Sequence, residues 1–195
     1  KADVGRAITH RLSGAHSEAH YDSVYFHKSG DDVDAAQDRY LSAIAEAVNR
    51  FNERANTFTI LVGMEMLDRK AATALNKKLN RPCPLFISDE HDMYEMVSVL
   101  YQCSLVVSSR YHALVTSMPG GVPSIGITMD ERIRNLMNDR KHPELALEVD
   151  DPSLGQNLYD RLVDVHENAD HYAEGIGRCV IQNLERMGQM GQRFV

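Results

Sequence analysis

Arg110 and His112 stand two residues apart in the run Ser108-Ser109-Arg110-Tyr111-His112, directly after the apolar stretch Leu105-Val106-Val107. A second basic group follows another apolar stretch, in Asp130-Glu131-Arg132-Ile133-Arg134. Guanidinium groups bind carboxylates and phosphates through paired hydrogen bonds, and an imidazole that titrates near pH ~6.5 can exchange a proton in neutral water. Together the two segments suit an anionic ligand and an acid–base step. Both fall where a strand pattern gives way to a helix pattern, with Ser108, Ser109 and Asp130 expected at the helix caps. A cation at a helix N-terminus is disfavoured by about 0.3–1 kcal/mol, so Arg110, His112 and Arg132 at two such ends ask for a partner. A bound anion is one partner; surface pairing with Asp130, Glu131 or Asp89 is the other.

The remaining reactive side chains read more plainly. His16 and His20 lie one helical turn apart, with His10 and Glu18 nearby, but in a stretch without periodicity they read as solvated rather than as a metal site. Asp89-Glu90-His91-Asp92 reads as ordinary acidic chemistry at a helix start. His27-Lys28 ends an apolar run and reads as a loop, with a supporting contact to a ligand as the alternative. Gly63 lacks the spacing of a dinucleotide-binding fingerprint and no phosphate-binding loop motif occurs, so no cofactor is called for. Met64, Met66, Met93 and Met96 read as packing residues, and Cys103 as a small apolar group rather than a nucleophile.

The elements that must hold these groups alternate between two periods. Strand patterns occupy 24–27, 58–62, 85–88, 105–108, 124–128 and 146–149, and helix patterns 33–53, 68–79, 92–103, 111–118, 131–137, 152–171 and 172–187. Tyr40, Leu41, Ile44, Ala47, Val48 and Phe51 make one stripe on the first helix. The runs Ser104-Leu105-Val106-Val107 and Ser124-Ile125-Gly126-Ile127 are apolar enough for burial on both faces of a parallel sheet. The expected architecture is a Rossmann-like three-layer α/β domain over residues 23–195 with a mostly parallel sheet. Residues 1–22 are expected to be a linker or docking extension. In such a sheet ligands bind beyond the carboxyl ends of the strands, where both basic segments fall.

Composition narrows the partners. The 195 residues carry 28 acidic against 21 basic side chains, a formal charge of -7, so no overall positive field would hold nucleic acid or an anionic membrane. No apolar run approaches the ~20 residues of a membrane span. Three cysteines without C-x-x-C spacing suit a reducing compartment, with the cytoplasm as the expectation. The chain starts at Lys1 rather than Met and reads as a piece of something longer.

The segment Leu105-Val106-Val107-Ser108-Ser109-Arg110-Tyr111-His112-Ala113-Leu114, then Gly121-Val122-Pro123, then Thr128-Met129-Asp130-Glu131-Arg132-Ile133-Arg134, resembles the C-terminal signature of the polysaccharide pyruvyl transferase family. That signature runs S-x-R-x-H-A-L, G-V-P, an apolar strand and D-x-K-V-R. The likeness covers about 24–149 in element order and 100–136 in motif. It implies the C-terminal half of a two-domain GT-B fold, with an N-terminal partner domain supplying much of the acceptor site. It also implies transfer of pyruvate from phosphoenolpyruvate to two hydroxyls of a glycan or lipid-linked sugar. His112 falls on the family's active-site histidine and Arg110 on its arginine, with Ser108, Ser109, Asp130, Arg132 and Arg134 as binding residues. Arg132 replaces the usual lysine, which keeps the charge but substitutes a planar fork for a compact ammonium. Two other readings share the architecture: a GT-B glycosyltransferase or sugar-nucleotide epimerase half, and a non-catalytic Rossmann-like binding domain.

Overall fold

The computed structural model describes residues 31–128 and 131–192. The expected strand at 24–27, the extension 1–22, the histidines His10, His16 and His20, the pair His27-Lys28 and Asp130 all lie outside the described residues.

Helix α1 (Asp31–Ala55) is followed by strand β1 (Leu61–Gly63), α2 (Asp68–Asn76), β2 (Leu85–Ile87), α3 (Met93–Tyr101) and β3 (Val106–Ser108). Helix α4 (Tyr111–Ser117) runs through a short 3-10 turn into β4 (Ser124–Thr128), and α5 (Glu131–Asp139) leads to β5 (Ala146–Glu148). Helices α6 (Leu154–Glu167) and α7 (Ala169–Gln192) complete the order. All pairs of described strands are parallel, as continuous apolar strands joined by helices require. The architecture is the expected three-layer, Rossmann-like α/β arrangement, with one difference. Among the described residues the hydrogen-bonded strands form two sheets, β1-β2 and β3-β4-β5, where one sheet was expected.

Helices α4 and α5 cover the face of β4 that carries Gly126. A Cβ on Gly126 would lie 2.3 Å from Ile133 Cγ2 and 3.3 Å from Leu114 Cδ1, so glycine there is what lets both helices close on the strand. All five residues of β4 are buried. On the opposite side α1 packs along α6, with Arg50 Nη1 donating to Gln156 Oε1 at 2.9 Å and Arg54 Nη2 to Glu167 Oε1 at 2.7 Å. The predicted stripe of α1 supplies Ile44, Ala47 and Phe51 to one core, shared with Ile125, Ile127, Leu158, Leu162 and Val165.

Two sequence signals gain a physical reading. Asp92 caps α3 in a capping box with Glu95, each accepting from the other's backbone N–H, at 2.9 and 3.1 Å. In the Gly121-Val122-Pro123 segment, Gly121 adopts φ 68°, a left-handed conformation that suits glycine. Pro123 is buried, and its carbonyl accepts from Val106 N at 2.9 Å, starting the β3–β4 ladder. Among the described residues no helix is long and apolar enough to cross a membrane.

Candidate functional site

The segments beyond the carboxyl ends of β1 and β3 and the first turn of α5, which follows β4, line a cleft of about 140 Å³. Its walls carry Ser109, Arg110 and His112 after β3, Arg132 after β4 and Glu65 after β1, with Tyr111 and Ile133 as the apolar part. The sequence-predicted Ser109, Arg110, His112 and Arg132 therefore share one space.

Arg110 is held by carboxylates that follow β1, in the other sheet. Its Nε and Nη2 donate to Asp68 Oδ1 at 3.1 and 2.5 Å, and its Nη1 lies 3.4 Å from Glu65 Oε2. Burial works against the charge, but the Asp68 hydrogen bond and the two carboxylate charges outweigh it, and the Arg110 pKa lies above the ordinary arginine value. Asp68 is itself fixed, because its Oδ2 accepts the backbone N–H of Glu65 at 3.1 Å. The Glu65 contact is the looser of the two.

The surface partner expected for Arg110, Asp89, is engaged elsewhere. Arg69 Nη2 donates to Asp89 Oδ1 at 2.6 Å and also pairs with Glu90 at 2.9 Å, and the Arg69 hydrogen bond holds the Asp89 carboxyl below the usual range. The expected caps of α4 also differ. The N-cap is Arg110, without a side-chain cap, while Ser108 Oγ accepts from Arg110 N at 2.9 Å and donates to Arg110 O at 3.2 Å. A serine two residues ahead binds its neighbour's backbone in a tight turn of its own, and that local bond outcompetes capping.

Ser109 lines the cleft and shares a hydrogen bond with the Tyr40 hydroxyl of α1; burial, more than this bond, sets the Tyr40 pKa, which is raised. His112 is exposed on the first turn of α4, its ring 6.0 Å from that of Tyr111 in an edge-on arrangement. The Arg132 guanidinium lies over the Tyr111 ring at 5.8 Å, within cation–π range. Arg134 is not part of the cleft lining. Its Nη2 donates to Glu148 Oε2 at 2.8 Å, its Nε to Oε1 at 3.1 Å, and its Nη1 pairs with Glu131. Among the described residues no group of three His, Cys, Asp or Glu side chains could hold a metal. Burial raises the Cys103 thiol, which disfavours a nucleophilic thiolate.

The sequence reading passed over Glu65, Asp68 and Tyr111. The signal was available: Glu65 and Asp68 follow the carboxyl end of a strand, the same position that singled out Arg110.

The arrangement defines a class: an α/β domain with a small charged cleft at the carboxyl ends of parallel strands, where two guanidinium groups stand beside an exposed imidazole. The family model for polysaccharide pyruvyl transferase matches residues 11–131, more than half of the chain, and the chain belongs to that family. The match contains Glu65, Asp68, Ser109, Arg110 and His112, and ends just before Arg132. No solved structure matches the chain.

Proposed function

We propose that this domain binds phosphoenolpyruvate in the cleft and takes part in transferring its pyruvyl group to two hydroxyls of a sugar. The observation that supports the reading most is the convergence of Arg110, Arg132 and His112 on one cleft in a chain of this family. The donor carries a phosphate and a carboxylate, and two guanidinium groups suit two anionic ends. The loose Glu65 contact marks the face of Arg110 that a ligand takes. A donor oxygen displaces Glu65 from Nη1, while Asp68 keeps hold of Nε and Nη2 and fixes the fork.

The first sugar hydroxyl adds to the enol carbon of the donor as a proton reaches the methylene carbon, which becomes the methyl group. The second hydroxyl then displaces phosphate from the same carbon, and its proton leaves with the phosphate or a base. One ketal and one inorganic phosphate result, and no electrons are exchanged with another reactant. His112 brings an imidazole to the cleft, a side chain type suited to acid–base transfer. Arg132, in place of the family's lysine, serves as a binding cation, since guanidinium does not give up its proton. A further N-terminal domain would bring the acceptor.

Ligand-induced stabilisation tests the reading. Binding to the folded state alone adds RT ln(1 + [L]/Kd), about 2.7 kcal/mol at a hundredfold excess over Kd. Phosphoenolpyruvate should raise Tm, and Arg132→Ala should remove most of the rise. A Tm shift with a nucleoside diphosphate and none with phosphoenolpyruvate would replace pyruvyl transfer by nucleotide-sugar chemistry. In the complete enzyme His112→Ala should lower kcat by ~10²–10⁴, with donor affinity little changed. Wild-type turnover in folded His112→Ala would end its catalytic assignment.

A further inference from the structure

The first turn of α3 presents two large apolar side chains to water. Tyr94 is 84% exposed and Met93 57%, while Met96 and Leu100 of the same helix are buried. The turn itself is held firmly. Asp92 and Glu95 close its capping box, and the His91 ring lies 5.2 Å from that of Phe86 in β2.

Where Tyr94 stands follows from the other end of the helix. Tyr101 packs on Gly120, where a Cβ would come within 2.7 Å of Tyr101 Cδ1. Gly120 ends the 3-10 turn that continues α4, and α3 packs along α4, so the two helices lie side by side with their C-terminal ends together. Tyr94 precedes Tyr101 by seven residues, which puts it on the same face of α3 and about 10 Å toward the carboxyl ends of the strands. Seven residues before Met118 and Pro119 of the 3-10 turn come Tyr111 and His112. Tyr94 therefore flanks the first turn of α4, beside the wall of the cleft that carries Tyr111 and His112.

Size and charge say what covers such a ring. Two side chains make a patch far below the ~800 Å² per partner of a stable protein interface. They stand among four carboxylates, Asp89, Glu90, Asp92 and Glu95, of which Arg69 pairs with the first two and His91 with the last. The face of a tyrosine ring attracts the C–H groups of a sugar ring, carboxylates accept hydrogen bonds from its hydroxyls, and an excess of negative charge repels an acidic glycan. The cleft, about 140 Å³, is small beside the ~300–1,000 Å³ of sites that enclose a drug-sized ligand. A sugar that reacts with a donor held there must rest on the surface outside.

We propose that Tyr94, with Met93 beside it, is the stacking platform for the acceptor sugar, and that this sugar is an uncharged pyranose. The role as acceptor platform rests on the pyruvyl-transfer reading above; the sugar contact itself does not. A pyranose lying on the Tyr94 ring extends along the α3–α4 seam, with one edge toward His112 and the cleft. Tyr94 touches the substrate away from the reacting atoms, so it sets position and specificity and takes no part in proton transfer.

Saturation-transfer NMR on the 195-residue chain tests the platform, with the methyl glycosides of glucose, galactose and mannose as probes and that of glucuronic acid as the charged control. At least one neutral glycoside should receive saturation from the protein's aromatic protons. Tyr94→Ala should weaken its binding about three- to tenfold, the worth of one aromatic contact, with Tm unchanged, and Tyr94→Phe should keep it, since the ring face and not the hydroxyl makes the contact. No transfer to any neutral glycoside, or equal affinity in Tyr94→Ala, overturns the platform. Binding of the glucuronoside as tight as that of the glucoside overturns the preference for an uncharged sugar. The signal should persist at saturating phosphoenolpyruvate; displacement would put the sugar inside the cleft and overturn the platform as well. Glycoside binding that depends on Tyr94, in a chain whose Tm phosphoenolpyruvate does not raise, overturns pyruvyl transfer and leaves the sugar contact standing. A Tm rise with phosphoenolpyruvate and no glycoside binding does the opposite.

Discussion

The strands on the two sides of Arg110 live in different surroundings. On one side β4 is flanked by β3 and β5, covered by α4 and α5 on its Gly126 face, and buried at every position. On the other side β1 has β2 as its described partner, and its Leu61 and Val62 remain half-buried, while Phe58 just before it is 76% exposed. The same kind of residue, an aliphatic in a parallel strand, therefore carries different weight in each half. The β4 half supplies the rigid floor on which Arg132 and His112 are mounted. The β1 half supplies two carboxylates, and these act from one sheet to the other by fixing the orientation of Arg110.

Truncation should expose this difference most. Ile127 is 1% exposed, and Ile127→Ala should cost about 3–4 kcal/mol through lost transfer energy and a residual cavity, read from urea midpoints. Val62→Ala should cost about 1 kcal/mol or less if β1 is as open as described. A loss at Val62 equal to that at Ile127 would break the comparison and show that more of the chain covers β1.

Adding a methyl group gives a second, smaller contrast. Gly126→Ala drives a Cβ to 2.3 Å from Ile133 Cγ2 inside fully buried packing and should cost about 2–3 kcal/mol. Gly63→Ala meets Ile87 Cδ1 at 2.7 Å and Asp68 Cβ at 3.0 Å, a less severe overlap, and should cost about 1–2 kcal/mol. Thermal melts of the two variants decide the order.

The link between the halves is weaker still. The Arg110 side chain is 39% exposed, so a double-mutant cycle of Arg110→Ala and Asp68→Ala should return a coupling of no more than about 1 kcal/mol. Its consequence should be larger for function. Asp68→Ala frees the guanidinium fork and should raise the donor KM while leaving Tm within a few degrees. An unchanged KM would reduce the pair to a structural strut.

The smallest effect belongs to neither half. Burial first, and the hydrogen bond donated to Asp164, push the Tyr172 hydroxyl up to about 12. The folded state thus holds this proton more tightly than the unfolded chain. The resulting stability is complete below pH 10 and is lost as the pH rises through about 12. Tyr172→Phe should flatten that fall, and coincident alkaline melting curves for the two proteins would count against it. Arg140 bends the background the other way. Burial lowers its pKa to about 10, so its share of the stability grows over the same range, and only the difference between the two proteins isolates Tyr172.

What could be read from sequence depended on how far each signal reached along the chain. Strand β4 spans the expected 124–128, because Pro123 bounds an apolar run that has nothing else to be. The start of α3 follows from Asp92 and Glu95, three residues apart. The partners of Arg110 were illegible for the opposite reason. Asp68 lies 42 residues away, and only the parallel arrangement of strand ends brings them together. The boundary between α6 and α7 was misplaced by a few residues, since the break at Asn168 carries neither glycine nor proline. Of the predicted binding set, the cleft gathers Ser109, Arg110, His112 and Arg132, which lie at the strand ends themselves. Arg134, one helical turn from Glu131 and facing Glu148, is drawn off by carboxylates nearer to hand.

The seam between α1 and α6 also dictates a timetable. Arg50 waits for a partner 106 residues further on, and Arg54 for one 113 residues on. At the ~5–20 residues per second of synthesis, α1 leaves the ribosome roughly 5–20 seconds before the helix that covers it. During that interval Leu41, Ile44 and Phe51 face water or a chaperone. A nascent chain stalled before residue 154 should therefore be captured by hydrophobic-binding chaperones, and release should coincide with the emergence of α6.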